Sequence, residues 1–255
     1  MKRELLYIDI LGFSSMINEQ SPKIPQIFNI INELSVYKHY AFQTIVFSDT
    51  ILVYNKENDK PTHYYLTYMV EFAQQLFYRL LSIDVYYRGL ITYGEFEFKQ
   101  LENIQAYWGK ALLDSYEDED KLLGFGLFVS KDVSEDILIF DKMDMGGKYD
   151  FIFLCQSYIN LYKRAKGILP VELEIITETD DFDRIDEDLM FLRQIAEMKE
   201  ICPCEKIRNK YVAVYNWYKE RTPKFFKLFE EKGFMPFVIN SNYIGSINPW
   251  KMELT

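Results

Sequence analysis

The sequence predicts an α+β fold: an α/β sandwich on the order β-α-β-β-α-β, followed by a helical C-terminal extension. Three observations predict it. Residues 5–14 and 44–54 are apolar, β-branched and aromatic runs, each interrupted by one carboxylate, Asp9 and Asp49. Such runs read as largely buried strands. Between them and a third strand-like stretch at 84–98, Leu66, Met69, Val70, Ala73, Leu76, Phe77 and Leu80 trace one helical face.

Taken in order, the first strand covers residues 3–11. Helical spacing follows at Ile24, Ile27, Phe28, Ile31, Leu34 and Ser35, with Pro22 and Pro25 at the entry, where proline is tolerated. Residues 40–56 read as a hairpin turning near Ser48, Asp49 and Thr50. Asn58, Asp59, Lys60 and Pro61 break the pattern, and Thr62 suits an N-cap for the helix reaching Leu81. Strand 84–98 is centred on Arg88, Gly89 and Gly94. In this split βαβ order the first strand and the hairpin are neighbours in one antiparallel sheet, so Asp9 can face Asp49 at the hairpin tip.

Beyond it, 100–105 reads as a polar loop and a helix runs from about Tyr107 to Lys121. Short strands are predicted at 125–129, 137–140 and 151–154. The acidic stretch 178–188 reads as a solvated loop entering a helix at 188–199. Further helices follow at 205–221, broken by Pro223, and at 224–232, ended by Gly233. The division expected is 1–155 for the sheet domain and 156–255 for a helical extension packed on it.

Composition bounds the function. Half of the 255 residues are apolar, with 20 Tyr and 20 Phe, as in a well-packed globular protein. A net charge of −10 argues against DNA or RNA as partner, which needs a basic footprint. It leaves room for a nucleotide, because a bound divalent cation reverses the local field. Cys155, Cys202 and Cys204 with His39 and His63 lack zinc-site spacing and read as reduced structural thiols. No signal segment and no run of about 18 apolar residues is visible. The expectation is a cytoplasmic protein with no stable membrane association.

An aspartate inside a buried strand is costly unless hydrogen-bonded, paired or bound to a cation. Asp49 followed by Thr50 at a hairpin tip could be a simple Asx-turn, but two such carboxylates in neighbouring strands suggest one shared site. Two carboxylates there can clamp one or two Mg²⁺ ions on a triphosphate. Gly12, Phe13 and Ser14 add a tight turn opening a helix, whose free N–H groups can hold a phosphate. Arg88 could support that phosphate or pair with an acidic neighbour. Lys110, at a predicted helix start, is unfavourable with the dipole and reads as a phosphate contact or as a solvated side chain.

Four stretches, residues 7–14, 47–51, 87–94 and 108–117, resemble class III nucleotidyl cyclases in order and spacing. Within that group they look most like the pyrimidine cyclases of bacterial Pycsar anti-phage systems. The resemblance covers residues 5 to about 130 and implies a cyclase catalytic domain there. It implies a homodimer with active sites at the interface. Asp9 and Asp49 match the two metal-binding aspartates for Mg²⁺ or Mn²⁺, two ions per site, and the Ile10 carbonyl matches the backbone ligand. The backbone of Leu11, Gly12, Phe13 and Ser14 matches the phosphate-holding turn. The reaction implied is attack of the ribose 3′-hydroxyl on the α-phosphate.

Departures from the pattern point to the base. Ile45 and Ala106 occupy the two positions from which purine cyclases read their base, so the adenine and guanine readouts are missing. That favours UTP or CTP as substrate, with cUMP or cCMP as an anti-phage second messenger. Leu113 and Glu117 fall where the family carries an Asn and an Arg that stabilise the transition state, which is the mark of the alternative: a catalytically degenerate cyclase-fold protein that binds a nucleotide or partner. A palm-type polymer nucleotidyltransferase is disfavoured by the acidic charge.

Overall fold

The computed structural model describes residues 1–34, 39–57, 60–172, 176 and 182–243. Ser35, Asn58, Asp59 and the first part of the acidic stretch, 178–181, lie outside the described residues. The chain divides into two compact units, Met1–Leu154 and Cys155–Thr255.

The first unit is built on a seven-stranded sheet in the order β2-β3-β1-β4-β7-β9-β8. Its strands are β1 (Lys2–Ile10), β2 (Phe42–Phe47), β3 (Thr50–Asn55), β4 (Tyr87–Glu95), β7 (Gly126–Ser130), β8 (Lys142–Asp144) and β9 (Tyr149–Ile152). The helices α1 (Phe13–Asn18), α2 (Lys23–Glu33) and α3 (Thr62–Leu81) complete the β-α-β-β-α-β order. β1 pairs antiparallel with both β3 and β4, as the split βαβ order requires.

The two faces of the sheet are covered differently. Leu66, Met69, Val70, Ala73, Leu76, Phe77 and Leu80 of α3 are all buried, and the Tyr87 hydroxyl donates to the Ala73 carbonyl (2.6 Å). Tyr87 is the lateral partner of Ile10, so Ile8 and Ile10 point toward α3. Leu5 and Tyr7 point the other way, into a cluster with Leu52, Tyr54, Phe96 and Ala111. Ala111 belongs to α4 (Lys110–Glu119). Asp9 follows Tyr7 by two residues and shares that second face.

Four sequence expectations need correction. Residues 84–98 are two strands: Phe96, fully buried, separates β4 from β5 (Glu97–Gln100). β5 pairs with β6 (Gln105–Trp108) in a separate hairpin, so 100–105 is a hairpin tip and α4 starts only at Lys110. Residues 137–140 are irregular; a short helix α5 (Lys131–Ser134) precedes them and β8 comes after. Pro61, not Thr62, is the N-cap of α3, since proline's missing N–H costs nothing ahead of a first turn.

The second unit contains α6 (Gln156–Ala165), α7 (Ile185–Ile201), α8 (Glu205–Arg221), α9 (Pro223–Glu230) and a 3₁₀ turn (Pro236–Val238). Leu189, Leu192, Ile195, Tyr218, Phe225, Phe226 and Phe229 are buried in it. Asp188, fully buried, accepts the Tyr158 backbone N–H (2.8 Å), satisfying a donor that the first turn of α6 leaves open. The sequence reading contains no helix at α6. No helix among the described residues is long and apolar enough to cross a membrane.

Candidate active site

The pairing register assembles the site. Residues opposite one another across neighbouring strands present their side chains on the same face. One row across the sheet reads Phe47, Thr50, Asp9, Arg88. The next row inward reads Ile45, Leu52, Tyr7, Leu90. The first row is polar at its centre, and the second is apolar apart from one phenol.

Asp49 joins the first row through the turn. Phe47 pairs directly with Thr50, leaving Ser48 and Asp49 as a two-residue loop. Ser48 has φ 56° and Asp49 is outside the left-handed region, the sign pattern of a II′ hairpin turn. The Ile10 N–H donates to the Asp49 carbonyl (3.0 Å), which fastens the turn to the end of β1. In an antiparallel strand the N–H and C=O of one residue point to the same side, so the Ile10 carbonyl is directed at the same turn. Asp9 and Asp49 are each half-buried.

Tyr7 registers both carboxylates. Burial pushes its phenol up to about 12; a hydrogen bond with Thr50 works against that, and the charges of Asp9, Glu119 and Asp49 add to it. Two aspartates from separate elements therefore act on one hydroxyl.

Tyr7 and Thr50 are not among the site residues that the sequence predicts. The signal was available: they stand two residues before Asp9 and one after Asp49, in strands whose period of two fixes the face.

A groove of about 870 Å³ opens on this face, lined by Tyr7, Thr50 and Leu52 from the sheet, Phe47 from the hairpin, and Trp108, Leu113 and Tyr116 among others from β6 and α4. Phe47, Trp108, Leu113 and Tyr116 are exposed. Leu113 and Glu117 both lie on the exposed side of α4. Ile45 is half-buried against the Leu5, Tyr7, Leu52 cluster, as are Tyr107 and Leu112. Ala106 pairs with Lys99 in the β5–β6 hairpin.

Other sequence-predicted residues go elsewhere. Arg88, 2% exposed, turns its guanidinium toward the end of α4. Its Nη1 donates to the Glu119 carboxylate and to the Glu119 carbonyl (2.7 Å), and its Nε and Nη2 donate to the Gly124 carbonyl (3.1 and 3.0 Å). Of the two readings for Arg88, pairing with an acidic neighbour is the one observed. Lys110 lines the groove and is exposed, paired with Asp114 (2.9 Å) one turn along α4.

In the turn after β1, Gly12 adopts φ 74° as the N-cap of α1 and makes no side-chain cap bond. The Leu11 N–H is spent on the Tyr86 carbonyl (2.9 Å), so the open helix start begins with the N–H of the N-cap, Gly12, followed by those of Phe13 and Ser14. The Phe13 side chain is buried, edge-on to Phe28 (6.1 Å), and Ser14 is exposed.

The oxygen set at the hairpin is Asp9, Asp49 and the Ile10 carbonyl. No cluster of three or more His, Cys, Asp or Glu side chains able to hold a metal occurs among the described residues. Two carboxylates with a carbonyl suit a hard cation such as Mg²⁺ or Mn²⁺, which fills its remaining positions with water and phosphate oxygens. The residues fit a cation delivered with a polyphosphate better than a resident one held by protein alone.

No protein-family model matches the chain, and no curated protein matches it by sequence. Solved structures do. The adenylyl cyclase CyaB from P. aeruginosa is similar at TM-score 0.50 and 11% identity, over 60% of this chain and 95% of that one. A bacterial light-regulated adenylyl cyclase gives 0.46 and 12%, over 66% and 98%. The guanylyl cyclase domain of a RhoGC fusion protein from the fungus Blastocladiella emersonii gives 0.44 and 12%, over 60% and 94%. The mixed α+β architecture with its seven-stranded sheet is the palm fold of class III nucleotidyl cyclases.

Proposed function

We propose that this protein is a metal-dependent nucleotide cyclase acting on UTP or CTP. The observation that carries the reading is the row Phe47, Thr50, Asp9, Arg88 with Asp49 fastened beside it through the Ile10 N–H. It gives two carboxylates and a backbone carbonyl next to Phe47 and Thr50, which line a groove, on a sheet with the cyclase fold.

Asp9, Asp49 and the Ile10 carbonyl would hold the Mg²⁺ or Mn²⁺ ions. Bound there, such ions would lower the pKa of the ribose 3′-hydroxyl and neutralise the triphosphate and departing pyrophosphate. The Phe13 and Ser14 N–H groups at the start of α1 face the phosphates. The 3′-oxygen bonds to the α-phosphorus, the bond from that phosphorus to the β-phosphate oxygen breaks, and the hydroxyl proton passes to solvent. The products are a 3′,5′-cyclic nucleotide and pyrophosphate.

A pyrimidine is favoured because Ile45 and Ala106 present no polar side chain where purine cyclases read the base. The exposed Trp108, Leu113 and Tyr116 offer apolar surface to a second copy, which supports a homodimer as the working form. The resemblance to Pycsar cyclases supports an anti-phage second messenger as the product's role.

Purified protein incubated with each of ATP, GTP, CTP and UTP plus Mn²⁺, with products resolved by mass, tests the reading. A cyclic pyrimidine product lost in Asp9→Ala is expected. No product from any nucleotide, by a folded dimer, would favour the second reading, a degenerate nucleotide binder. That reading draws on Leu113 and Glu117, which offer no hydrogen-bond donor of the Asn and Arg kind on the exposed side of α4.

A further inference from the structure

We propose that Phe47 is a base-stacking residue, so that the planar base of a nucleoside triphosphate lies against its ring in the groove; this rests on the nucleotide reading of Asp9 and Asp49. Of the three aromatic residues that lead into the hairpin, Phe47 is the one that lines the groove. Phe42 is buried and stacked on Tyr68 (4.4 Å, 13° between planes). Tyr40 stacks on His39 (5.2 Å, 16°). Phe47 is 79% exposed and lines the groove. An aromatic ring left in water at this level gives up most of its burial energy, and its position suggests where that energy is recovered.

That position follows from the register. Phe47 stands in the row of Asp9 and is separated from it by Thr50 alone. Two strand spacings, about 10 Å in total, lie between the two Cα atoms, a span suited to a ribose between an α-phosphate held at Asp9 and a base at Phe47. The backbone keeps the ring there: Phe47 ends β2 directly before Ser48, whose left-handed φ of 56° sets the tight turn. Ile45, next on the same face, is packed into the core cluster and offers a wall, not a hydrogen bond. The base therefore meets a ring face, and stacking on a ring does not depend on which edge the base presents.

The test compares two probes with Mn²⁺ by calorimetry: α,β-methylene-UTP, which cannot be cyclised, and base-free ribose 5-triphosphate. Base-on-aromatic stacking contributes about 1–3 kcal/mol by alanine substitution, so Phe47→Ala should weaken the UTP analogue roughly 5- to 150-fold. Binding of ribose 5-triphosphate should be unchanged, and Phe47→Tyr should bind both probes like the wild type. The proposal is overturned if Phe47→Ala leaves the UTP analogue unaffected. It is equally overturned if both probes weaken together, above all with a fall in sedimentation coefficient, because the ring then serves an interface between copies. Failure of wild-type protein to bind either probe would remove the nucleotide reading, and the proposal with it. Binding of ribose 5-triphosphate alone by wild type would spare that reading and refute the stacking.

Discussion

Arg88 and Asp9 are lateral partners on adjacent strands, yet the Arg88 guanidinium is committed to Glu119 and the Gly124 carbonyl. Buried ion pairs are expensive to break from one side, because the remaining charge stays desolvated. Arg88→Met is therefore expected to destabilise the first unit by about 3–5 kcal/mol, read by urea unfolding, and adding Glu119→Leu should recover most of the loss. A cost of Arg88→Met below about 1 kcal/mol would show that the pair is solvated in solution. Glu4 is a second buried charge, 2% exposed. Burial raises its carboxyl pKa, a Thr62 hydrogen bond opposes this, and Asp136 adds to it. The folded pKa thus lies above the unfolded one. Glu4 contributes its full stability below the unfolded value and loses it as pH rises through the folded value. Glu4→Gln should raise the melting temperature at pH 7 and leave it nearly unchanged near pH 3.5; an equal effect at both would assign the change to packing. At this scale the placement of Asp9 beside the Asp49 turn was legible, because a carboxylate inside an apolar run is conspicuous. The destination of Arg88 was not, since its partners Glu119 and Gly124 stand 31 and 36 residues away and no local pattern links them.

Elements were legible where one face is buried and the period is long. The spacing in 62–81 named the buried face of α3, and the carboxylate-bearing runs named β1 and the β2–β3 hairpin. The misreadings have a common cause. β5 and β6 are four residues each and largely exposed, so they lack the apolar alternation that marks a strand, and their pairing is stabilised by Phe98 stacking on Tyr107 (5.0 Å). Residues 137–140 carry an apolar run, but Leu138 and Ile139 are exposed, so apolar composition there does not imply a strand. The step from β6 into α4 depends on Gly109, at φ 147°. A Cβ at this position would lie 2.2 Å from the Glu95 carbonyl oxygen and 2.7 Å from the Phe96 Cα. Both obstacles are backbone atoms that cannot swing aside, and Phe96 is fully buried. Gly109→Ala must therefore displace α4 from β4, taking Trp108, Leu113 and Tyr116 out of register with the groove. A loss of stability above about 2 kcal/mol is expected from such strain, measured by thermal unfolding, and nucleotide binding should weaken alongside it. Retention of both would mean that the β6–α4 junction is free to shift.

At the scale of the whole molecule the proposed homodimer brings together two copies that each carry −10 net charge. Association therefore has two opposed terms. The exposed Trp108, Leu113 and Tyr116 side chains favour contact by burying apolar surface. The net charges oppose it over a range set by the Debye length, about 10 Å at 0.1 M salt and about 3 Å at 1 M. Salt weakens the second term and slightly strengthens the first. The dimer should accordingly tighten as salt rises from 0.05 to 0.5 M, with the dissociation constant falling severalfold in sedimentation equilibrium. An interface built on complementary ion pairs would do the reverse and loosen with salt. Leu113→Asp separates the two cases further. On the exposed side of α4 it adds two like charges per dimer to the apolar patch, so it should dissociate the dimer at low salt and be partly rescued at high salt. Loosening with salt, or indifference to Leu113→Asp, would place the contact between copies somewhere other than the groove.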